Sequence, residues 1–202
     1  MTDAELLRGE SVRLTALTKR DAAQVASWYE NVEFMRCYSG EAAFPKVEED
    51  IAERIERSRQ SAYNYMFGVR RLDDDVLVGV AELGDVCWNN GTAWVSLALG
   101  KPFWSHGLGS EALHLLLDYA FREMNLYRVQ LTVFSYNERA LALYRHIGFV
   151  QEGVFREHLW RDGRRYDMLL MGILRREWEA LHGQPPDLNC GGQSDTPPKG
   201  AR

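Results

Sequence analysis

Residues 92–124 read TAWVSLALGKPFWSHGLGSEALHLLLDYAFREM. Ala93, Val95, Leu97 and Leu99 alternate with Trp94, Ser96 and Ala98, which is the period of a strand. A short loop, Gly100 to His106, follows, and Gly107, Leu108 and Gly109 lead into a helix. The helix repeats its apolar residues in pairs four apart, Ala112/Leu113, Leu116/Leu117 and Ala120/Phe121, then Met124, with Glu111, His114, Asp118 and Arg122 on the other side. The first amides of a helix have no internal partner, and the dipole adds partial positive charge there. Glycines without a Cβ let an anion approach that backbone. From these residues alone the turn is either an anion site or a tight strand-to-helix connection that binds nothing.

Upstream of this stretch the pattern predicts an antiparallel meander. Tyr63, Tyr65, Phe67 and Val69 alternate with Asn64, Met66 and Gly68, and Asp73–Asp75 make a turn. Val76 to Leu83 is apolar on both faces, so it is expected to lie centrally, and Asn89-Asn90-Gly91 turns the chain into the opening strand. Nearer the start, Val12 to Leu17 reads as a first strand. Thr18 and Asp21 form a near capping box for a helix that buries Ala22, Val25, Ala26 and Tyr29. After a loop, Phe44-Pro45 is expected to open a second helix with a stripe of Val47, Ile51 and Ile55 and a solvated charged face.

Downstream, Val129, Leu131 and Val133 mark a fifth strand. Asn137 to Ile147 is a helix ended by Gly148. Val150–Trp160 and Arg164–Leu174 form a hairpin across Asp162-Gly163, and residues 175–182 add a helical turn or two. The composition beyond that predicts one domain over residues 1–182 and a disordered tail over 183–202. The order β-α-α-β-β-β-α-β-α-β-β predicts an α+β fold. Its sheet is mixed and mostly antiparallel, seven-stranded, with a central parallel β-α-β crossover at 92–134. A dinucleotide fold needs alternating βα units, and three strands precede this glycine turn without helices between them.

The 202 residues carry 46% hydrophobic and 26% charged side chains, ordinary for a soluble domain. A net charge of -5 gives no electrostatic case for nucleic acid. No apolar run approaches the ~20 residues of a membrane helix, and the first residues lack the layout of a signal peptide. Cys37, Cys87 and Cys190 have no CxxC spacing and read as free thiols of a reducing, cytoplasmic protein with neither a disulfide frame nor a metal site.

Two stretches then combine: WSHGLGSEAL at 104–113 and NERALALYRHIGF at 137–149. Together they resemble the GNAT superfamily of acyl-CoA-dependent N-acyltransferases. The first is similar to its pyrophosphate loop, Q/R-x-x-G-x-G/A, with Trp104 in place of Q/R. The second is similar to its Asn-x-x-Ala…Tyr…GF helix. The resemblance spans about residues 10 to 180. The closing GVFREHLWRDGRRYDMLLMGIL resembles the branch of ribosomal-protein alanine and spermidine N-acetyltransferases.

The resemblance implies acetyl-CoA as co-substrate, with a small-molecule or peptide amine as acceptor. Backbone groups of Leu97 and Leu99 would pair with the pantetheine arm like an added strand, and Leu99 N–H would stand near the thioester carbonyl. The amides of Gly107, Leu108, Gly109 and Ser110 would hold the pyrophosphate, with His106 at the loop tip. Asn137 would bind the cofactor or serve as a plain N-cap. Tyr144 would protonate the leaving thiolate or be a core aromatic. Glu82, a polar interruption of an apolar strand, is the candidate base, with Asp85 second.

Acceptor contacts are expected from Glu33, Tyr38, Glu41, Trp88, Trp160 and Tyr166. Arg156, Arg161, Arg164 and Arg165 would meet acidic groups or simply face solvent, which leaves a succinyl-CoA donor as an alternative. A non-catalytic acyl-CoA sensor is a further alternative. No cysteine lies in either motif, so transfer is expected to be direct, in a ternary complex, with Cys87 the nearest exception. The final hairpin offers an edge for a homodimer contact.

Overall fold

The computed structural model describes residues 7–183, so residues 184–202 of the expected tail lie outside the described residues. Seven strands form one sheet: β1 (Val12–Ala16), β2 (Tyr65–Arg71), β3 (Leu77–Cys87), β4 (Thr92–Leu99), β5 (Arg128–Phe134), β6 (Val150–Arg161) and β7 (Arg164–Leu174). Their spatial order is β1-β2-β3-β4-β5-β7-β6. Every neighbouring pair is antiparallel except β4 and β5, which run parallel through the crossover. The α+β class and its central parallel crossover are as expected.

Among the described residues the α-helices are α1 (Ala22–Trp28), α2 (Val32–Tyr38), α3 (Glu48–Gln60), α4 (Leu108–Asp118), α5 (Glu138–Ile147) and α6 (Arg175–His182). α4 runs on into one π-helical turn, Tyr119–Glu123. Two cores cover the two faces of the sheet. One gathers α4, α5 and α6, with Leu113, Leu116, Leu117 and Met171 fully buried; each such side chain contributes about 1.5–3 kcal/mol relative to exposure. The other gathers α1, α2 and α3 over Leu77, Val80 and Ala98. β3 feeds both, Ala81 and Leu83 into the first and Val80 into the second, which is why its run of apolar residues does not alternate. No helix among the described residues is long and apolar enough to cross a membrane.

Three local readings are corrected. The loop expected after the first helix contains α2, capped by Asn31, whose Oδ1 accepts from Phe34 N–H at 2.9 Å. Its seven residues are too few for a clear period, and the helix is held by burying Phe34 and Met35. The next helix opens at Glu48 rather than at Phe44-Pro45; Val47 is its cap and Phe44 is exposed, so the apolar stripe is only Ile51 and Ile55. Tyr63 and Val76 fall outside β2 and β3, while β3 reaches Cys87 past a bulge where Asp85 takes a φ of 50°.

Candidate active site

β4 pairs with β5 over only three positions, Thr92↔Arg128, Ala93↔Val129 and Trp94↔Gln130. Beyond Trp94 the strands part. β4 stays with β3 as far as Gly79↔Leu99, and β5 stays with β7 as far as Phe134↔Met168. Each strand keeps one full ladder, and between them opens a cleft of about 580 Å³. Val95 to Leu99 form one wall and Thr132 to Phe134 the other.

The alternation of a strand sets which groups face that gap. Gly100 N–H donates to Val78 O on the β3 side at 2.9 Å. The amides and carbonyls of Leu99 and Leu97, one and three residues earlier, therefore point away from β3 and into the cleft. Leu99 O is engaged, because Trp104 Nε1 donates to it at 2.7 Å. The groups open to a new extended chain are thus Leu97 N–H, Leu97 O and Leu99 N–H.

The N-terminus of α4 enters beside this wall. Gly107 caps it in the left-handed region, φ 79°, and a Cβ there would meet nothing within 4 Å, so the turn leaves open space over its backbone. Gly109 is constrained differently: a Cβ would lie 3.2 Å from Leu99 Cδ1, so this glycine lets the helix sit close on the strand. Ser110 N–H donates to Gly107 O at 3.0 Å, which leaves the amides of Gly107, Leu108 and Gly109 ahead of the first helical bond. Open amides and a left-handed glycine beside an unpaired strand fit an extended chain that ends in phosphates.

α5 supplies Tyr144. Asn137 Oδ1 accepts from Ala140 N–H at 3.2 Å at one end. At the other, Gly148 takes φ 108° and Phe149 N–H returns to Tyr144 O at 2.9 Å. Leu141, Tyr144 and Ile147 share the buried face, and Tyr144 lies edge-on to Phe149 at 5.7 Å. The Tyr144 hydroxyl makes no hydrogen bond among the described residues, and its ring lines the cleft. Burial pushes its pKa up to about 12, so the phenol holds its proton throughout the neutral range.

A family model described as an acetyltransferase (GNAT) domain matches residues 11–150. The chain belongs to the GNAT acetyltransferase family. It is an enzyme that moves an acetyl group from acetyl-CoA to an amine. It is 33% identical to a putative ribosomal N-acetyltransferase of Bacillus subtilis (strain 168), over 54% of this chain and 60% of that protein. It is 26% identical to the spermidine N(1)-acetyltransferase of Escherichia coli (strain K12), over 87% of this chain and 92% of that protein. The crystal structure of spermidine N-acetyltransferase from Vibrio cholerae in complex with CoA and spermine shares the fold, with a TM-score of 0.76 and 24% identity over 83% of this chain and 97% of that one.

In this acetyltransferase the cleft gathers Leu97, Leu99, Gly107, Gly109, Ser110 and Asn137 from the expected donor side, together with Tyr144. His106 is exposed off the cleft wall, and the Leu108 side chain turns into the core. Asn137 Nδ2 also reaches Cys37 O at 3.5 Å, so this side chain ties α5 to the end of α2. Glu82 does not line the cleft; its carboxylate accepts from Arg54 Nη2 at 2.7 Å, and the same nitrogen donates to Tyr38 Oη at 2.6 Å. Asp85 sits in the β3 bulge.

Of the expected acceptor contacts only Tyr38 lines the cleft. Glu33 is paired with Lys101 at 2.6 Å, which lowers its pKa. Trp88 packs edge-on against Tyr65 at the far turn, with Nε1 donating to Ala62 O at 3.1 Å. Trp160 is exposed beneath Arg165, and Tyr166 packs against Tyr136. Glu41 and the hairpin arginines are also off the wall. Arg161 Nη2 instead donates to Ser39 O at 2.6 Å and to Glu41 O at 3.2 Å.

Cleft residues given no site role in the sequence include Arg139, Cys37 and His158. Arg139 lines the wall with its guanidinium 3.5 Å from the Trp104 ring centroid, so the tryptophan in the Q/R position carries a cation on its face. A basic residue in the first turn of a helix opposes the dipole, and that misplacement was the available signal. Cys37 lines the cleft, with its thiol pKa raised by burial, whereas Cys87 does not. His158 also lines it, from a distorted part of β6.

Proposed function

We propose that this acetyltransferase acts by direct attack in a ternary complex and that its acceptor is the amine of an uncharged or peptide-like body rather than a long polycation. The observation that carries the mechanism is the parting of β4 from β5 beside the Gly107 turn, with Tyr144 in the wall. Leu97 N–H and O pair with the amide-bearing arm of the donor, and Leu99 N–H donates to the thioester oxygen as charge builds there. The amides of Gly107, Leu108 and Gly109 hold the phosphates, with Arg139 as the nearby permanent cation. Tyr144 gives its proton to the departing sulfur; a phenol with a pKa of about 12 is protonated when it is needed. Burial keeps the Cys37 thiol from ionising readily, which supports transfer without an acyl-cysteine.

The acceptor reading rests on charge. The cleft lining includes aromatic and apolar groups, Phe34, Tyr38, Phe134 and Met168, and no aspartate or glutamate among the described residues. A polyamine needs carboxylates along its length, and Glu33 and Glu82 are already neutralised by Lys101 and Arg54. The exposed edge strand β6 is the surface best suited to a second copy of the chain. The test is an amine and peptide panel with acetyl-CoA, read as free thiol. Thiol release is expected to be faster with peptides bearing a free N-terminus than with spermidine, and the reverse order overturns the acceptor reading.

A further inference from the structure

An alkylamine is mostly ammonium near pH 7, so a base has to free its lone pair before attack. The cleft wall offers few groups able to do this. Arg139 is permanently charged. The Cys37 thiol is held up by burial, Tyr38 Oη is held by Arg54, and Tyr144 is the acid. The remaining titratable group on the wall is His158, and imidazole is the side chain type suited to proton transfer near neutrality.

The backbone around His158 is built to present it. β6 and β7 pair at Phe155↔Met168 and resume at Leu159↔Tyr166, so residues 156–158 oppose Asp167 alone. Glu157 takes φ 51°, a left-handed conformation that costs a non-glycine residue. Two bonds fix the bulge: Glu157 N–H donates to Asp167 Oδ1 at 2.8 Å, and Arg165 Nη1 donates to Glu157 O at 3.3 Å. Bulges re-aim side chains beside sites. The end of α2 closes on the same place, since a Cβ on Gly40 would lie 3.5 Å from the Phe134 ring and 3.8 Å from Leu159.

We propose that His158 is the base that deprotonates the acceptor amine, with Tyr144 as the acid. This rests on the acyl-transfer reading above. His158 takes one proton from the ammonium and passes it to solvent. The freed nitrogen bonds to the carbonyl carbon as the C–S bond breaks. Tyr144 gives its proton to sulfur and is reprotonated as the second N–H proton leaves. The charged groups placed near His158 by sequence and register are Arg156 and Glu157 on its own strand, and Arg165 and Asp167 on β7. Around the cleft the titratable groups are Cys37 and Tyr38 from α2 and Arg139 and Tyr144 from α5, while Arg161 ties β6 to the segment after α2 through Ser39 O and Glu41 O.

The test is kcat/KM for the amine, at saturating acetyl-CoA, across pH 5.5 to 9.5 in the full chain and in His158→Gln and Glu82→Gln. Wild type, whose base takes the proton from the bound ammonium, is expected to lose log kcat/KM toward acid with a slope no steeper than one. His158→Gln can use only amine that is already free, so its log kcat/KM is expected to fall with a slope near one from pH 9.5 downward, and its kcat at neutral pH to drop about 100-fold. Its CoA affinity by calorimetry should not change, and free imidazole should restore part of the rate in His158→Ala. A His158→Gln enzyme with the wild-type rate and slope overturns the proposal. So does the same loss of rate and change of profile in Glu82→Gln but not in His158→Gln. If wild type binds CoA and releases no thiol with any amine, the acyl-transfer reading itself fails, and with it the assignment of His158.

Discussion

The two walls of the cleft are made differently. The wall proposed to hold the donor consists of backbone: the open edge of β4 at Leu97 and Leu99, the amides at Gly107 to Gly109, and one helix carrying Tyr144. The α2 end of the cleft, proposed to face the acceptor, presents Tyr38 and Ser39, which are held by side chains from far apart in the chain. Tyr38 is oriented by Arg54, Arg54 is held by Glu82, and Ser39 is held by Arg161. Backbone recognition tolerates sequence change, because every residue carries the same amide. Side-chain recognition does not, so the α2 side of the cleft is where specificity is expected to differ between relatives of one fold.

Substitutions that hit one wall and spare the other sharpen this contrast. The largest effect is expected at Tyr144→Phe, which should lower kcat about 100-fold or more while CoA still binds, as read by steady-state kinetics and calorimetry. Next, Arg54→Met leaves Glu82 without its partner in a half-buried site. Arg54 is 34% and Glu82 18% exposed at the side chain, so about 2 kcal/mol is expected rather than the full cost of breaking a buried pair. Thermal melting should fall by about 4–8 °C, and the paired change Arg54→Met with Glu82→Leu should recover most of it. If Arg54→Met instead raised KM for acetyl-CoA alone, the division into two walls would be wrong.

Gly107→Ala is expected to act on the donor wall only. At φ 79° with open space around it, the alanine meets strain but no clash. KM for acetyl-CoA should rise about tenfold, with KM for the amine unchanged. The smallest effect concerns how α4 is braced from behind. His114 packs tilted against Trp178 at 4.5 Å and edge-on to His182 at 4.1 Å. Burial, then His182, lowers its pKa below the usual 6.5. Its contribution to stability is therefore complete above about pH 6.5 and is lost as pH falls through the lowered value. Melting temperature should decline with acidification in that window, and less steeply in His114→Leu.

Much of the sheet was legible because strand and helix periods are local: the 92–124 stretch alone marked β4, the glycine turn and α4. α2 was missed because seven residues with one polar cap hold too little periodicity to stand out. Glu33 and Glu82 were plausible as free carboxylates in the sequence. Only in space do Lys101 and Arg54 stand beside them.

The sequence by itself determined the local elements of the wall proposed to hold the donor in this GNAT acetyltransferase. Alternation fixes which backbone groups of β4 share a side, glycines mark where the chain turns left-handed, and the Asn137 cap with Gly148 bounds the helix that carries Tyr144. These are properties of contiguous residues. Tertiary structure alone decided where β4 and β5 part, which charges neutralise one another, and how three residues of β6 opposite Asp167 bring His158 to the cleft. Each depends on the register between segments distant in sequence, and no local pattern encodes that register.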